Sequence, residues 1–433
     1  MQFNSYYGCG WCFHSGEAVD GVVKYTTTAD PADDRTAADM IADMTEAASQ
    51  GTPVRGVKGP SPVLNLPGFD IVWSFTPDYM HCVLLGVARQ MTELWLTSTG
   101  TNYYIGSPCD LTTVDDRLCS IKPPLLFSRL PRSLKARKHW KAAEWEHWLL
   151  CYSLPCLRGV LSNEHFKHFG LLVHGVHLLL KKEVSKTDID ESTEKLTEFV
   201  LHTEVLYGKG QMSSNVHTLL HLPKAAVLLG PLWTHSCFVF ENNMGKLLKH
   251  VKSYKGVPLQ ILSRVLLQSN LQVLQGRAAP DAGGVFRQER ANVSNAPVAL
   301  GTGHPPSDAV RSLVQRLLPH CEDVVEYVRV FIGKVTLHST KYTVPTKTDS
   351  TVFEQDGVYA RIENVISVTA SEGGSKVYVI MEEYAVDRFP CVTHIKYCRR
   401  LPERKLLELT SRAKPCMYMS TNQGSLIVDL CVR

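Results

Sequence analysis

Apolar residues recur at helical intervals in the first part of the chain. One short helix is predicted over 36–48, ending at Gly51, by the spacing of Ala38, Met40, Ile41, Met44 and Ala47. The compact apolar run 69–75, with its β-branched members, predicts a buried strand. The pattern from 79 to 96 then predicts a helix directly after that strand. Asp78 is therefore expected where a strand ends and a helix begins.

The segment from about 120 to 230 is predicted to be helical. Apolar stripes run along 169–180 and 196–206, and two helices should pack against each other through these faces. A further amphipathic helix is predicted before Gly256, with a buried stripe formed by Phe240, Met244, Leu247, Leu248 and Val251. Glu241 lies directly beside this stripe.

The pattern changes after residue 275. Residues 275–310 are rich in Gly, Ala, Pro and Ser, without hydrophobic periodicity, which is typical of a linker or long surface loop. A short helix is predicted around 308–329. The later apolar runs 359–368, 376–384, 416–419 and 426–432 are short and partly alternating. They predict a small β-barrel-like or sandwich-like domain.

Composition narrows the class of protein. The 433 residues favour two or three domains, and 44% hydrophobic with 20% charged residues excludes a largely disordered chain. A net charge of +4 is too small to indicate a nucleic-acid partner by itself. The 13 cysteines are an odd number in a long chain and are interpreted as reduced thiols. No signal peptide and no apolar stretch of about 18 residues is found, so an intracellular protein without a membrane span is predicted.

Two acidic residues are candidates for catalysis. Asp78 and His81 are three residues apart and would share one face of the helix. Asp78 could simply cap the helix, with His81 packed against the sheet. Glu241 could likewise do no more than complement a helix dipole. Functionally, carboxylates from two separate elements could hold the Mg²⁺ ions of a phosphoryl-transfer site.

Basic residues cluster in two places. The stretch 129–141 contains no acid, and His139 and Trp140 lie among its cations Arg129, Arg132, Lys135, Arg137, Lys138 and Lys141. A second group follows Glu241 along the chain and contains Lys246, Lys249 and Lys252. Charge interleaved with aromatic surface suits a nucleic-acid backbone, although solvated helix faces can have the same composition.

Cys9 and Cys12 form a CxxC turn that could bind zinc. No second CxxC follows at the usual interval, and His14, His81 and Cys82 are possible distant ligands. Two buried thiols are the alternative, and a thioredoxin-like pair is disfavoured because no βαβ pattern surrounds it. His217 and His221 have the i, i+4 spacing of metal ligands, but no acid lies between them as in HExxH, which favours core or interface histidines.

Six of these motifs occur in one order along residues 1–265, at 7–12, 77–87, 140–145, 149–155, 215–222 and 230–242. In content and order they resemble CACTA (En/Spm-like) transposases and their relatives in animal genomes. The resemblance implies a ribonuclease-H-like core in which two aspartates and a glutamate bind Mg²⁺, with a helical insertion before the glutamate. Asp78 matches the second aspartate and Glu241 the glutamate. The first aspartate would lie on a strand before the 7–12 motif and has no match.

The predicted fold class is therefore α/β plus mainly α. The expected regions are a partial ribonuclease-H-like core (1–118), a helical insertion (119–230), a return to the core with the candidate catalytic helix (231–270), a linker (271–310), and a helix with a small β-rich domain (311–433). Two spatial predictions follow from this arrangement. Asp78 and Glu241 should converge, and Cys9 and Cys12 should face the segment around His81.

The leading functional hypothesis is a transposase-derived DNA-binding protein, a truncated or domesticated relic with weak or no strand-transfer activity. One alternative is an active metal-dependent DDE-type transposase, if an upstream segment supplies the first aspartate. Another is a non-enzymatic interaction scaffold that self-associates as a homo-oligomer. DNA is the expected partner, and residence in the nucleus is expected from DNA binding alone.

Overall fold

The structure is a computed structural model that describes residues 4–277, 296–319, 321–342, 348–370, 375–421 and 423–430. It begins with a hairpin of β1 (Glu17–Val19) and β2 (Val22–Lys24), followed by helix α1 (Ala37–Gln50). Thr36 and Asp39 form a capping box at the start of α1, and Gly51 ends the helix with a φ of 69°. The helix predicted over 36–48 is confirmed.

The strand predicted over 69–75 is wrong. Asp70 Oδ1 accepts hydrogen bonds from the backbone nitrogens of Val72 at 2.8 Å and Trp73 at 2.9 Å, which closes a turn. The apolar residues in this turn are buried against Met40 and Met44 of α1. The run 69–75 is therefore apolar because this turn is buried, and such a run has the same composition as a buried strand.

Most of residues 80–229 are helical, and this includes most of the region 120–230 that was predicted to be so. The helical elements of this region are a π-helical segment (Met80–Ala88), α2 (Arg89–Thr97), α3 (Pro108–Ser120), α4 (Ala142–His147), a second π-helical segment (Trp148–Tyr152), α5 (Ser153–Leu157), α6 (Asn163–Leu179), α7 (Lys186–Tyr207), α8 (Ser214–Thr218) and α9 (Leu222–Leu229). Short 3₁₀ turns occupy Pro62–Asn65, Leu134–His139, Lys209–Gln211, Leu219–His221 and Leu232–His235. The predicted packing of α6 on α7 is confirmed, since a Cβ at Gly175 would lie 2.9 Å from the Leu196 side chain.

Two further helices follow, α10 (Phe238–Lys249) and α11 (Val257–Arg277). The prediction of a buried stripe on α10 is wrong, because Phe240 is 67% exposed, Met244 58% and Leu248 66%. No described residue of α10 is buried. Among the helices in the described ranges, none combines the length and the apolar character that a membrane span requires.

The remaining described elements are β3 (Val298–Leu300), α12 (Asp308–Leu317), β4 (Cys321–Tyr327), β5 (Arg329–Ile332), β6 (Val335–His338), β7 (Val352–Gln355), β8 (Val358–Ala370), β9 (Ser375–Arg388), β10 (Ile395–Glu408), β11 (Lys414–Thr421) and β12 (Gly424–Asp429). Six antiparallel strands form a closed barrel in the order β8-β7-β11-β12-β10-β9, and β8 pairs with β9 to complete it. Strand β4 adds to β8, and β3, β5 and β6 form a separate sheet. The predicted β-rich region is thus a barrel, but the helix predicted around 308–329 ends at Leu317. Part of the predicted linker, 278–295, lies outside the described residues.

The predicted ribonuclease-H-like core is not present. Within residues 4–277, which are all described, the strands are β1 and β2, and they pair only with each other. No central sheet therefore leads to Asp78. The physical reason is local, since the segment before Asp78 forms the Asp70 turn and the segment after it continues as helix.

The barrel and the helical region share one apolar core. Met417, Met419, Leu426 and Val428 of the barrel belong to the same buried cluster as the helices. The approach is close, because a Cβ at Gly170 of α6 would lie 2.5 Å from the Cβ of Cys391. The two regions consequently support each other, and the predicted domain boundaries stay predictions.

Candidate metal centre

Four potential metal ligands from two distant segments meet in the interior. Cys9 and Cys12 lie on the N-terminal turn, His217 is on α8, and His221 ends the 3₁₀ turn that follows α8. Cys9 Sγ is 3.3 Å from His221 Nε2, and Cys12 Sγ is 3.3 Å from His217 Nε2. The two sulfurs are 3.5 Å apart and the two Nε2 atoms 3.3 Å apart. All four ligand atoms lie within 4.8 Å of one another.

These distances approach those of a tetrahedral zinc site. Zn–S bonds of about 2.3 Å and Zn–N bonds of about 2.0–2.1 Å imply S···S of about 3.8 Å, S···N of about 3.6 Å and N···N of about 3.3 Å. The observed S···S and S···N separations of 3.5 and 3.3 Å are slightly shorter, and the N···N separation of 3.3 Å agrees. This buried Cys2His2 cluster could therefore hold a metal ion such as zinc.

Aromatic rings pack around the cluster. Its four members are between 3% and 6% exposed, and the Tyr25 ring stacks on His217 at a centroid distance of 5.2 Å. Trp11 and Trp73 pack against His221 at 5.5 and 6.3 Å. The hydrogen bond from Cys12 lowers the pKa of Cys9, and hydrogen bonds with His217 and His221 act in the same direction. A thiolate, the metal-binding form of cysteine, is thus favoured at Cys9.

Arg35 fixes the shape of the CxxC turn. Its buried Nε donates to the carbonyl oxygens of Cys9 at 3.1 Å and Cys12 at 3.0 Å. Its guanidinium also lies 3.6 Å from the buried Asp43 carboxylate and donates to the Arg55 carbonyl at 2.8 Å. The positive charge is compensated, and both cysteines are held in position from behind.

The prediction that Cys9 and Cys12 face His81 is wrong. His217 and His221 take that place, and neither His14 nor Cys82, also considered as ligands, belongs to the cluster. The i, i+4 spacing of the two histidines was a correct signal. The missing acid of an HExxH motif favoured core or interface histidines, but the cysteines that complete the cluster lie 205 and 212 residues earlier in the chain, and only the fold joins the two pairs.

His81 instead belongs to a second group of residues around Asp78. Its Nδ1 is 2.6 Å from Asp78 Oδ2, and its Nε2 is 3.6 Å from Glu241 Oε1. Asp78 Oδ1 accepts a hydrogen bond of 2.8 Å from the backbone nitrogen of Cys237. The predicted pair of acids therefore meets through one imidazole, and Asp78, His81 and Cys237 form a second possible ligand set.

The two acids differ in their surroundings. Burial raises the pKa of Asp78, but hydrogen bonds from the backbone of Cys237 and His81 and from the His81 side chain outweigh it, so the pKa is lowered overall. Glu241 is 60% exposed and His81 56% exposed, whereas Asp78 is 17% exposed. Asp78 is consequently a fixed carboxylate, and Glu241 is a surface group that reaches the same histidine.

The first basic cluster divides into two kinds of side chain. Arg132 forms two hydrogen bonds with the buried Glu144 carboxylate, Arg129 lies 3.9 Å from it, and Arg137 pairs with Glu93 at 2.7 Å. These arginines support the fold. The exposed side chains that take no part in these ion pairs are Lys135, Lys138 and Lys141 here, and Lys246, Lys249 and Lys252 are exposed in the second cluster.

Comparison of the chain with protein-family models, with curated protein sequences and with solved structures finds no match in any of the three.

Proposed function

We propose that Cys9, Cys12, His217 and His221 bind one structural zinc ion. The observation that supports this is the convergence of four ligand atoms of the right types, inside the protein, at separations close to tetrahedral edges. Four protein ligands leave no open position for a substrate, which is typical of a structural and not a catalytic site.

Such an ion would tie the N-terminal segment to the helical region. The ion would add to contacts that already join these parts, among them the hydrogen bonds from the Tyr25 nitrogen to the Met212 carbonyl and from the Thr27 hydroxyl to Glu204, both at 2.9 Å. Because the unfolded chain holds no preformed site, the free energy of zinc binding adds to the free energy of unfolding.

The zinc proposal is tested by metal analysis of the purified full chain. One zinc per chain is expected, and a Cys9→Ser, Cys12→Ser double variant should lose it. A Cys109→Ser, Cys119→Ser variant is the matched control, because these two cysteines are exposed and outside the cluster. Equal zinc in the two double variants would contradict the proposal.

We further propose that this zinc-stabilised protein is a transposase-derived DNA-binding protein. The supporting observation is the set of exposed lysines on 135–141 and on and after α10, which can neutralise phosphates without giving up ion pairs inside the fold. Gel-shift titration with duplex DNA at several salt concentrations tests it. The logarithm of affinity should fall linearly with the logarithm of salt concentration, by about 0.9 per phosphate contact. Affinity that does not respond to salt would contradict it.

A second candidate function is metal-dependent strand transfer at Asp78 and Glu241. It is favoured by the contact of both acids with His81 and by the fixed, ionised state of Asp78. Carboxylates are the usual ligands of Mg²⁺ and Mn²⁺. Mn²⁺ binding followed by electron paramagnetic resonance should be weakened in Glu241→Gln and kept in Glu164→Gln, an acid at the start of α6. Identical binding by both variants would exclude this site.

A further inference from the structure

One of the two thiols of the candidate metal centre, that of Cys9, lines a cavity. A space of about 550 Å³ is lined by Cys9, Trp11, Met44, Phe75 and His217, among other side chains. Phe75 in its wall is 52% exposed, so the cavity reaches the protein surface. Although Cys9 is itself only 5% exposed, a small solute can therefore approach its side of the cluster.

The two sulfurs are also placed to react with each other. Their separation of 3.5 Å must shorten to about 2.0 Å in a disulfide, and the two intervening residues form a turn that allows this movement. Gly10 lies between the two cysteines, and no atom beyond its chain neighbours lies within 4 Å of its Cβ position, so the turn is not crowded at this point. The hydrogen bonds from Arg35 to the Cys9 and Cys12 carbonyls hold the backbone while the side chains rotate.

We propose that Cys9 and Cys12 are a reversible oxidation site at which a peroxide converts the zinc-binding thiolates into a disulfide and releases the metal. The inference rests on the zinc site proposed above. It adds a redox response to an otherwise structural centre. The peroxide would reach Cys9 through the cavity, and hydrogen peroxide is the simplest peroxide that could do so.

The reaction balances in two steps. The Cys9 thiolate attacks one oxygen of hydrogen peroxide, the O–O bond breaks, and a sulfenic acid forms as hydroxide leaves. The Cys12 thiolate then attacks the Cys9 sulfur, the S–O bond breaks, and a second hydroxide leaves. The two sulfurs are oxidised by two electrons in total, and the peroxide is reduced. Two protons from solvent convert the hydroxides to water, and the two histidines that remain as ligands cannot retain zinc.

The purified full chain tests this without any variant. Its zinc content is measured first, hydrogen peroxide is then added, and released zinc is followed with a colorimetric chelator. Remaining thiols are alkylated, and peptide mass mapping locates the disulfide. We expect one disulfide between Cys9 and Cys12 for each zinc released, and recovery of both thiols and of zinc binding after dithiothreitol and added zinc.

The outcomes separate the two proposals. One outcome is that zinc is present and stays bound after peroxide is added, and that both Cys9 and Cys12 still react with the alkylating reagent. This result would overturn the oxidation site while supporting the zinc site. A Cys9–Cys12 disulfide in a protein that held no zinc would overturn the zinc site and the release step but support the thiol pair. A Cys109→Ser variant should behave as the parent, since this exposed thiol lies outside the cluster.

Discussion

The imidazole rings of His177 and His394 stack on each other, with centroids 3.9 Å apart and planes inclined by 12°. His177 lies on α6, and His394 directly precedes β10, so the contact joins the helical region to the barrel. His394 Nε2 donates to the Leu150 carbonyl oxygen at 2.8 Å, and both rings are buried. Protonation of either ring is disfavoured, because a positive charge would be buried next to a second imidazole.

Acid should therefore weaken the fold through these histidines. Burial lowers the pKa of His394 to about 3, and burial together with His394 lowers the pKa of His177 well below its ordinary value. In the unfolded chain each takes up a proton near pH 6.5, whereas in the folded chain it does not. The free energy of unfolding therefore falls as the pH drops below about 6.5, by up to about 1.4 kcal/mol per pH unit for each histidine, and for His394 this loss continues to about pH 3.

Urea unfolding between pH 7 and pH 5 measures this dependence. The His394→Gln variant keeps a side-chain nitrogen that can donate to Leu150 but does not titrate. The slope of its unfolding free energy against pH should therefore be smaller than that of the parent, by an amount that corresponds to at most one proton taken up on unfolding. The neighbouring charged groups His174, Lys181 and Lys396 remain in both proteins. Identical pH slopes would show that His394 is not responsible.

Removal of Arg35 should loosen the metal centre without touching a ligand. Arg35→Met deletes the donor shared by the Cys9 and Cys12 carbonyls, and loss of a supporting group of this kind typically reduces metal affinity about 10- to 100-fold. Competition with a zinc chelator measures the change. Arg412→Met removes an exposed arginine that pairs with Asp356 in the barrel and should retain the parent affinity.

The exposed lysines of 135–141 should account for part of the salt dependence of DNA binding. Replacing Lys135, Lys138 and Lys141 by Ala should flatten the salt slope by up to about 2.7, that is 0.9 for each of three phosphate contacts. Thermal stability should stay near that of the parent. An unchanged slope in the gel-shift titration would identify these lysines as a solvated surface only.

Arg132 should behave in the opposite manner. Arg132→Ala leaves the Glu144 carboxylate, which is 6% exposed, without its bidentate partner, so a loss of about 1–3 kcal/mol in the free energy of unfolding is expected. Denaturant titration measures it. A variant of full stability that binds DNA less tightly would place Arg132 at the nucleic-acid surface instead.

Close contact between α6 and the barrel predicts a strict requirement for glycine. In Gly170→Ala the new Cβ would meet the Cβ of Cys391 at 2.5 Å, and the barrel must shift at a cost of about 1–3 kcal/mol. Gly245→Ala in α10 is the matched control, because no atom lies within 4 Å of its Cβ position. That change should raise helix stability by up to about 1 kcal/mol. Calorimetric unfolding of both variants distinguishes the two effects.

Sequence reasoning succeeded where periodicity alone determines the structure. Helix α1 was predicted with its Gly51 end, and so were the packed pair α6 and α7 and the β-rich character of the C-terminal region. The strand predicted over 69–75 is wrong because its apolar residues lie in a buried turn. That turn is closed by hydrogen bonds to Asp70, which the spacing of apolar residues does not reveal. Sequence reasoning also failed on α10, whose apolar spacing does not lead to burial.

The candidate sites show a similar division. The contact of Asp78 with His81 is local, and a spacing of three residues on a helix was enough to anticipate it. The candidate metal centre joins segments that are distant in sequence, because the CxxC turn and the histidine pair each supply only two of four tetrahedral ligands. Their union depends on how α8 lies relative to the N-terminal turn, and this depends on the packing of the whole helical region.

The long separation within the Cys2His2 cluster has a consequence for biosynthesis. Cys12 leaves the ribosome 205 residues before His217, which is about 10–40 s of translation at 5–20 residues per second. During that interval the nascent chain carries two thiols whose partner imidazoles do not yet exist. The turn that carries Cys9 and Cys12 can complete the cluster only after α8 has been synthesised, so the cluster forms late relative to the synthesis of its two cysteines.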